Sequence, residues 1–239
     1  MQLHITEVPA WVSISFVLFF AFIPTGLISR AVKRSLEGNN QFDGQKISFN
    51  IKIFYTVYLV IVGIASIFGL FSVNTLPPRI IIFSAIPLMI FYLLYIRKRD
   101  WFKAVYENIT LDQLIFIQVF RFVGVYFFLV NQHGAIPDLF AQLGGYGDIL
   151  TAALVFPTVY LLKKNSSMAK SMAWIWNIIG LVDILLVMGS ANLITAQAIQ
   201  SGEEGVAQFG TFPFSWIPAF APMTIIFLHI LTFKKLIKG

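Results

Sequence analysis

RKRDWFKAVYENITLDQLIFIQVFRFVGVYFFLVN, residues 97–131, passes from a basic cluster through an aromatic and polar turn into twenty mostly apolar residues. The apolar part, 112–131, is long enough to cross a bilayer. It holds a single cation, Arg121, nine residues past Asp112 and so ~14 Å along a helix rising 1.5 Å per residue. The same alternation of basic cluster and apolar run recurs along the chain. Apolar stretches fall at 9–29, 53–72, 79–96, 112–131, 148–163, 171–190 and 214–233. Fifteen of the seventeen Lys and Arg residues lie in alternate connections or helix ends. They form the sets Arg30 to Lys52, Arg97 to Lys103, Lys163 to Lys170 and Lys234 to Lys238. The other connections hold almost none: Arg79 opens the third stretch and Arg121 lies inside the fourth.

Lys and Arg are retained on the cytoplasmic side of a membrane. The distribution therefore predicts an all-α polytopic membrane bundle of seven transmembrane helices, N-terminus out and C-terminus in, built as one integral domain over residues 1–239. An even number of helices would put both termini on one side, against the charge distribution. The bulk numbers agree, with 58% hydrophobic and 12% charged residues and a mean hydropathy of +0.80. A soluble domain of this length needs more charge to cover its surface. The net charge of +6 follows from inner loops facing an anionic leaflet rather than from nucleic-acid binding. There is no cysteine, hence no disulfide framework and no thiolate metal site. The segment MQLHITEVPAW carries Glu7 and no basic residue before the first apolar run. It therefore reads as leading into an uncleaved first helix rather than as a signal peptide.

Between the spans, 30–52 reads as a long cytoplasmic loop and 97–111 as an interfacial turn, with Trp101, Phe102 and Tyr106 at headgroup level. Residues 136–144 suggest a short surface helix started by Pro137 and ended by Gly144, after which Asp148 caps the fifth spanning helix. Residues 191–213 read as a second outer loop, holding Glu203 and Glu204. Pro24, Pro87, Pro157, Pro218 and Pro222 fall inside apolar stretches, where neighbouring groups can re-satisfy the freed carbonyls.

No catalytic motif is present: no phosphate loop, HExxH, GxSxG or paired-His spacing. Of three histidines, His4 and His133 lie in outer segments and His229 in the last helix, which excludes two-His haem ligation in the membrane. The informative residue is Arg121. A mid-membrane Arg costs about 2.5–3.5 kcal/mol on insertion scales and must face the bundle interior and find a partner. Asp183, thirteen residues past Lys170 and ~20 Å from the inner face, is the best anionic partner. Asp148 is its rival nearer the outer surface. Asn177 and Gln118 are candidate members of the same polar network, and Tyr126 is a more distant neighbour. His229 is expected to be hydrogen-bonded within the bundle. Gly124, Gly180 and Gly189 allow close helix approach.

The runs QVFRFVGVYFFL, GAIPDLFAQLGGYGDI and WNIIGLVDIL resemble small multi-pass bacterial inner-membrane proteins of uncharacterised function. The resemblance covers about a third of the chain and implies a bacterial inner membrane location. Seven helices with the N-terminus out are also the topology of microbial rhodopsins, but the last helix has no lysine before Lys234 and so no Schiff-base position at mid-membrane.

These features point to an internal polar site of Arg121, Asp183 and Asn177 in a small-molecule or ion transporter or channel-like carrier. Its ligand would be small and anionic or polar, its surroundings the lipid bilayer, with no metal, cofactor or nucleic acid. The alternative is a non-catalytic membrane subunit or sensor that binds a protein partner or a lipid, in which Arg121 is a register lock. An enzyme acting on lipid has Asp148 with His133 as its sole candidate pair.

Overall fold

In the computed structural model, residues 3–238 are described; Met1, Gln2 and Gly239, the ends of the predicted 1–239 domain, lie outside them. The described chain is helical, with one isolated parallel bridge between Ile5 and Phe212. Among the described residues, seven helices are long and apolar enough to cross a membrane. In chain order, with one short helix between the third and fourth of them, they are α1 (Ala10–Ser35), α2 (Gly44–Ile67), α3 (Ile81–Lys98), α4 (Asp100–Asn108), α5 (Leu111–Asn131), α6 (Asp138–Lys163), α7 (Ala169–Ser201) and α8 (Trp216–Lys238).

Five sequence expectations change. The polar segment 30–52 is mostly helix: α1 runs on to Ser35 and α2 starts at Gly44, leaving a short loop. Asp43 starts α2 by accepting from Gln45 N–H at 2.8 Å and Lys46 N–H at 3.0 Å, which satisfies donors a helix start leaves free. The turn 97–111 contains α4, whose Trp101, Phe102 and Tyr106 are half-buried against the bundle. The surface helix at 136–144 and the fifth span are one continuous helix, α6. Pro137 does precede its first turn, but Gly144 does not end it and Asp148 caps nothing. Helix α7 extends to Ser201, so the outer loop starts near Gly202 rather than 191. Pro218 lies in the first turn of α8, leaving Pro222 as the proline inside it.

Proline shapes the helices that keep it. In α1 and α6 the residue after Pro24 and Pro157 is a threonine whose hydroxyl donates back to a carbonyl: Thr25 to Ala21 at 2.8 Å, Thr158 to Leu154 at 2.7 Å. Helix α3 passes through π-helical turns at Ile81–Ala85 and Phe91–Tyr95, either side of the short α segment that holds Pro87. Helix α5 is α-helical at both ends and 3₁₀-helical over Ile117–Gly124.

Helix α8 is the central pillar: 78% of its apolar window is buried, against 17% for α7. It packs against α2, α3, α5 and α7, while α5 lies between α1 and α6. At the end opposite the basic clusters, residues 4–6, 67–74 and 203–212 form a lid. Thr6 N–H donates to Phe212 O at 2.9 Å and Phe212 N–H to His4 O at 3.1 Å. Thr6 and Thr211 hydroxyls meet at 2.6 Å, and Asn74 donates to Glu203 O at 3.1 Å.

Below the lid, Phe16 joins α1 to the segment leading into α8 and to α5 through rings of Phe214 at 4.6 Å and Tyr126 at 5.1 Å. It is fully buried. Truncation of Phe16 removes these packing contacts. Phe16→Ala should therefore destabilise the bundle by about 2–4 kcal/mol, read as a lower midpoint in denaturing-detergent unfolding. An unchanged midpoint would show that this aromatic cluster does not hold the acidic end together.

Candidate functional site

A 3₁₀ helix has three residues per turn, so side chains at i and i+3 eclipse. The eight-residue 3₁₀ stretch of α5 thus stacks Gln118, Arg121 and Gly124 on one face, toward α6 and α7. Gly124 lets α6 approach: a Cβ there would sit 2.7 Å from Asp148 Cβ and 2.9 Å from Gly145 O.

Arg121 is fully buried. Its Nε donates to Asp148 Oδ1 at 2.6 Å and its Nη2 to Asp183 Oδ2. Its Nη1 donates to the Gly180 carbonyl at 3.0 Å and faces His229 Nε2 at 3.4 Å. A guanidinium only donates, so His229 Nε2 must be the accepting nitrogen. The proton is then on Nδ1, which lies 2.7 Å from Asn177 Oδ1. Asn177 Nδ2 donates in turn to His229 O at 3.2 Å. Geometry therefore assigns a neutral Nδ1–H imidazole locked between α7 and α8. Trp176 covers that ring, with centroids 5.2 Å apart, and donates its indole N–H to Thr151 O at 3.0 Å.

Four of the five sequence candidates around Arg121 come together on it. Asp183 and Asp148, expected as rivals, both bind the guanidinium, and Asn177 joins through His229. Asp148 reaches mid-helix depth because α6 begins at Asp138, ten residues earlier. Gln118 lies on the Arg121 face and is buried, but neither of its amide atoms has a hydrogen-bond partner. Tyr126 packs instead on Phe16 and Phe19. His133 is exposed in the turn after α5, whereas the Asp148 carboxylate is committed to Arg121.

Glycine makes the network fit. A Cβ at Gly147 would collide with the Asp183 carboxylate, and one at Gly180 would sit 2.6 Å from His229 Cε1 and 2.8 Å from Thr151 Cγ2. Gly189, expected as a packing device, has nothing within 4 Å of its Cβ position. Sequence reasoning missed Gly147, Thr151 and Trp176. The closely spaced Gly144, Gly145 and Gly147 ahead of Asp148 were the available signal, but Gly144 read as a helix end.

Arg121 sits between the acids and the imidazole, and among the described residues no three His, Asp or Glu side chains converge as metal ligands. The network is not closed on all sides. Asp148 also lines a cavity of about 120 Å³, room for several waters at ~30 Å³ each in the liquid. That cavity runs toward the acidic end past Ile184, Pro222 and Thr195.

Gly147→Ala should destabilise the protein by about 2 kcal/mol or more, since a methyl there overpacks a buried ion pair. Gly189→Ala should be neutral or stabilise by up to ~1 kcal/mol through helix propensity. Paired unfolding curves check both, and equal effects at the two positions would contradict the packing described.

A family model described as Domain of unknown function (DUF8737) matches residues 77–237, from the start of α3 nearly to the end of α8 and including every member of the Arg121 network. No curated protein and no solved structure matches the chain. The chain belongs to the DUF8737 family.

Proposed function

We propose that this DUF8737 member is a multi-pass protein of the bacterial inner membrane, N-terminus outside and C-terminus inside, that carries a small ion or a proton through the Arg121 site. One observation carries the proposal: a single guanidinium is shared by two carboxylates, Asp148 and Asp183, with a neutral imidazole as the fourth partner. No second Lys or Arg pairs with either carboxylate among the described residues. With both carboxylates ionised the cluster sums to minus one. Burying a net charge is costly, so the arrangement calls for one further positive charge, either a proton on the carboxylates or a monovalent cation. A group that must be neutralised by something from outside is what a carrier uses.

An anionic ligand fits less well, because four of the five guanidinium N–H groups are already taken. The cavity at Asp148 gives the acid a route toward the acidic end. The basic ends of the helices support the orientation through the retention of Lys and Arg on the cytoplasmic side.

The complete burial of Arg121 favours a second assignment, a membrane subunit or sensor that binds a protein partner or lipid, in which the network only fixes helix register. Asp183→Asn separates the two. It leaves a one-to-one pair of Arg121 with Asp148 and should keep the protein folded. A carrier would lose at least tenfold of its proton or cation flux into dye-loaded vesicles. A register lock would show no flux in either form and equal or greater stability for the variant.

The absence of cysteine makes orientation directly testable. Ser201→Cys should label with an impermeant maleimide in intact cells, and Ser167→Cys only after permeabilisation. The reverse pattern would invert the topology.

A further inference from the structure

A second cavity, of about 370 Å³, lies toward the basic end and shares no wall with the Arg121 cluster. That volume is within the usual range of small-molecule sites, which are mostly apolar with a few placed polar groups. Its walls include a run of stacked rings. Phe91 lies 4.7 Å from Phe54 at 16° and 5.1 Å from Tyr95 at 18°. Trp101 and Phe102 of α4 close it from the basic end.

Its far end is polar. Tyr55 and Tyr92 hydroxyls meet at 2.9 Å, Tyr92 and Thr224 hydroxyls at 2.9 Å, and all three residues are buried and line the cavity. Three hydroxyls bring three protons, and two contacts use two of them. However the two contacts run, one O–H of the three is left at the cavity with no acceptor among the described residues, and a buried donor left unmade is expensive.

The opening is lateral. Exposed Asn50 on α2 and Tyr95 on α3 flank it. The Arg99 guanidinium lies 3.8 Å above the Tyr95 ring and holds it at the rim. The neighbouring outer surfaces are apolar, with Ile53 and Val57 on α2 and Leu94 on α3 exposed. A mouth with this apolar surround suits entry from hydrocarbon.

We infer that this cavity binds a quinone-type lipid. Its flat ring lies along the aromatic wall, one ring carbonyl accepts the spare hydroxyl proton of the Tyr55–Tyr92–Thr224 chain, and its apolar tail leaves between α2 and α3. The rings supply stacking surface, the hydroxyl chain supplies the one directional contact, and the lateral mouth suits a molecule dissolved in the membrane.

Calorimetric titration of the full chain in lipid nanodiscs tests this, with decylubiquinone and with decylbenzene, which has the same tail and no carbonyl. Saturable binding of one decylubiquinone per chain is expected, with decylbenzene about tenfold weaker, the worth of one buried hydrogen bond. The triple variant Tyr55→Phe, Tyr92→Phe, Thr224→Val should bring decylubiquinone down to the decylbenzene level. Ala31→Phe, which fills the cavity from α1, should abolish both. Equal affinities of the two probes for the natural chain would overturn the assignment, as would non-saturable uptake or a folded triple variant with full quinone affinity. Where the triple variant does not fold, the two-probe comparison on the natural chain decides alone.

Discussion

The buried guanidinium of Arg121 is the constraint around which the bundle is arranged. A cation at that depth must be met on every side, and four helices meet it: α5 carries it, α6 and α7 each bring a carboxylate, and α8 brings an imidazole. Each contact fixes a height as well as a distance. Helix α6 must reach far enough for Asp148 to arrive ten residues in, and α7 must offer a bare carbonyl at Gly180 beside its acid. Removing one partner of such a buried set strands the others, which costs more than the pair contributes when whole. The network thus ties four helices to one group whatever it adds to stability.

Much of this was legible in the sequence, for a physical reason. Charge is so expensive in an apolar bundle that Arg121, Asp148 and Asp183 stand out singly, and Asn177, Gln118 and His229 follow as polar groups at related depths. The arrangement of Asp148 was not legible. Gly144 and Asp148 read as the end of one helix and the cap of the next, by rules learned in water, where glycine ends helices. Between packed apolar helices glycine mostly buys close approach, and the same residues lie within or beside one uninterrupted helix. The 3₁₀ stretch of α5 was equally hidden, since nothing in IQVFRFVG forbids an α-helix.

The position of α8 at the centre was also out of reach. Helices α7 and α8 are both long and apolar, yet α8 is mostly buried and α7 is buried only in a small share of its length. Composition says that a helix avoids water; it does not say whether protein or lipid replaces it. The residues that decide are few. Thr224 and His229 give α8 polar groups whose partners lie on other helices, and both are buried. On α7 the outward positions Ile178, Val182, Leu185 and Leu186 carry nothing that needs a partner.

The 3₁₀ segment that carries Arg121 has a mechanical consequence. A 3₁₀ helix rises ~2.0 Å per residue and an α-helix 1.5 Å. Eight residues therefore store ~4 Å of length that a change of winding would release. The turn per residue would fall from ~120° to ~100°, rotating one end of the segment against the other by ~160°. Gln118, whose amide has no partner in the present winding, would swing off the Arg121 face as this happened. The middle of α5 is thus a coil able to shorten, set between two ordinary α-helical ends, with the charge at its centre and a spare amide one turn away.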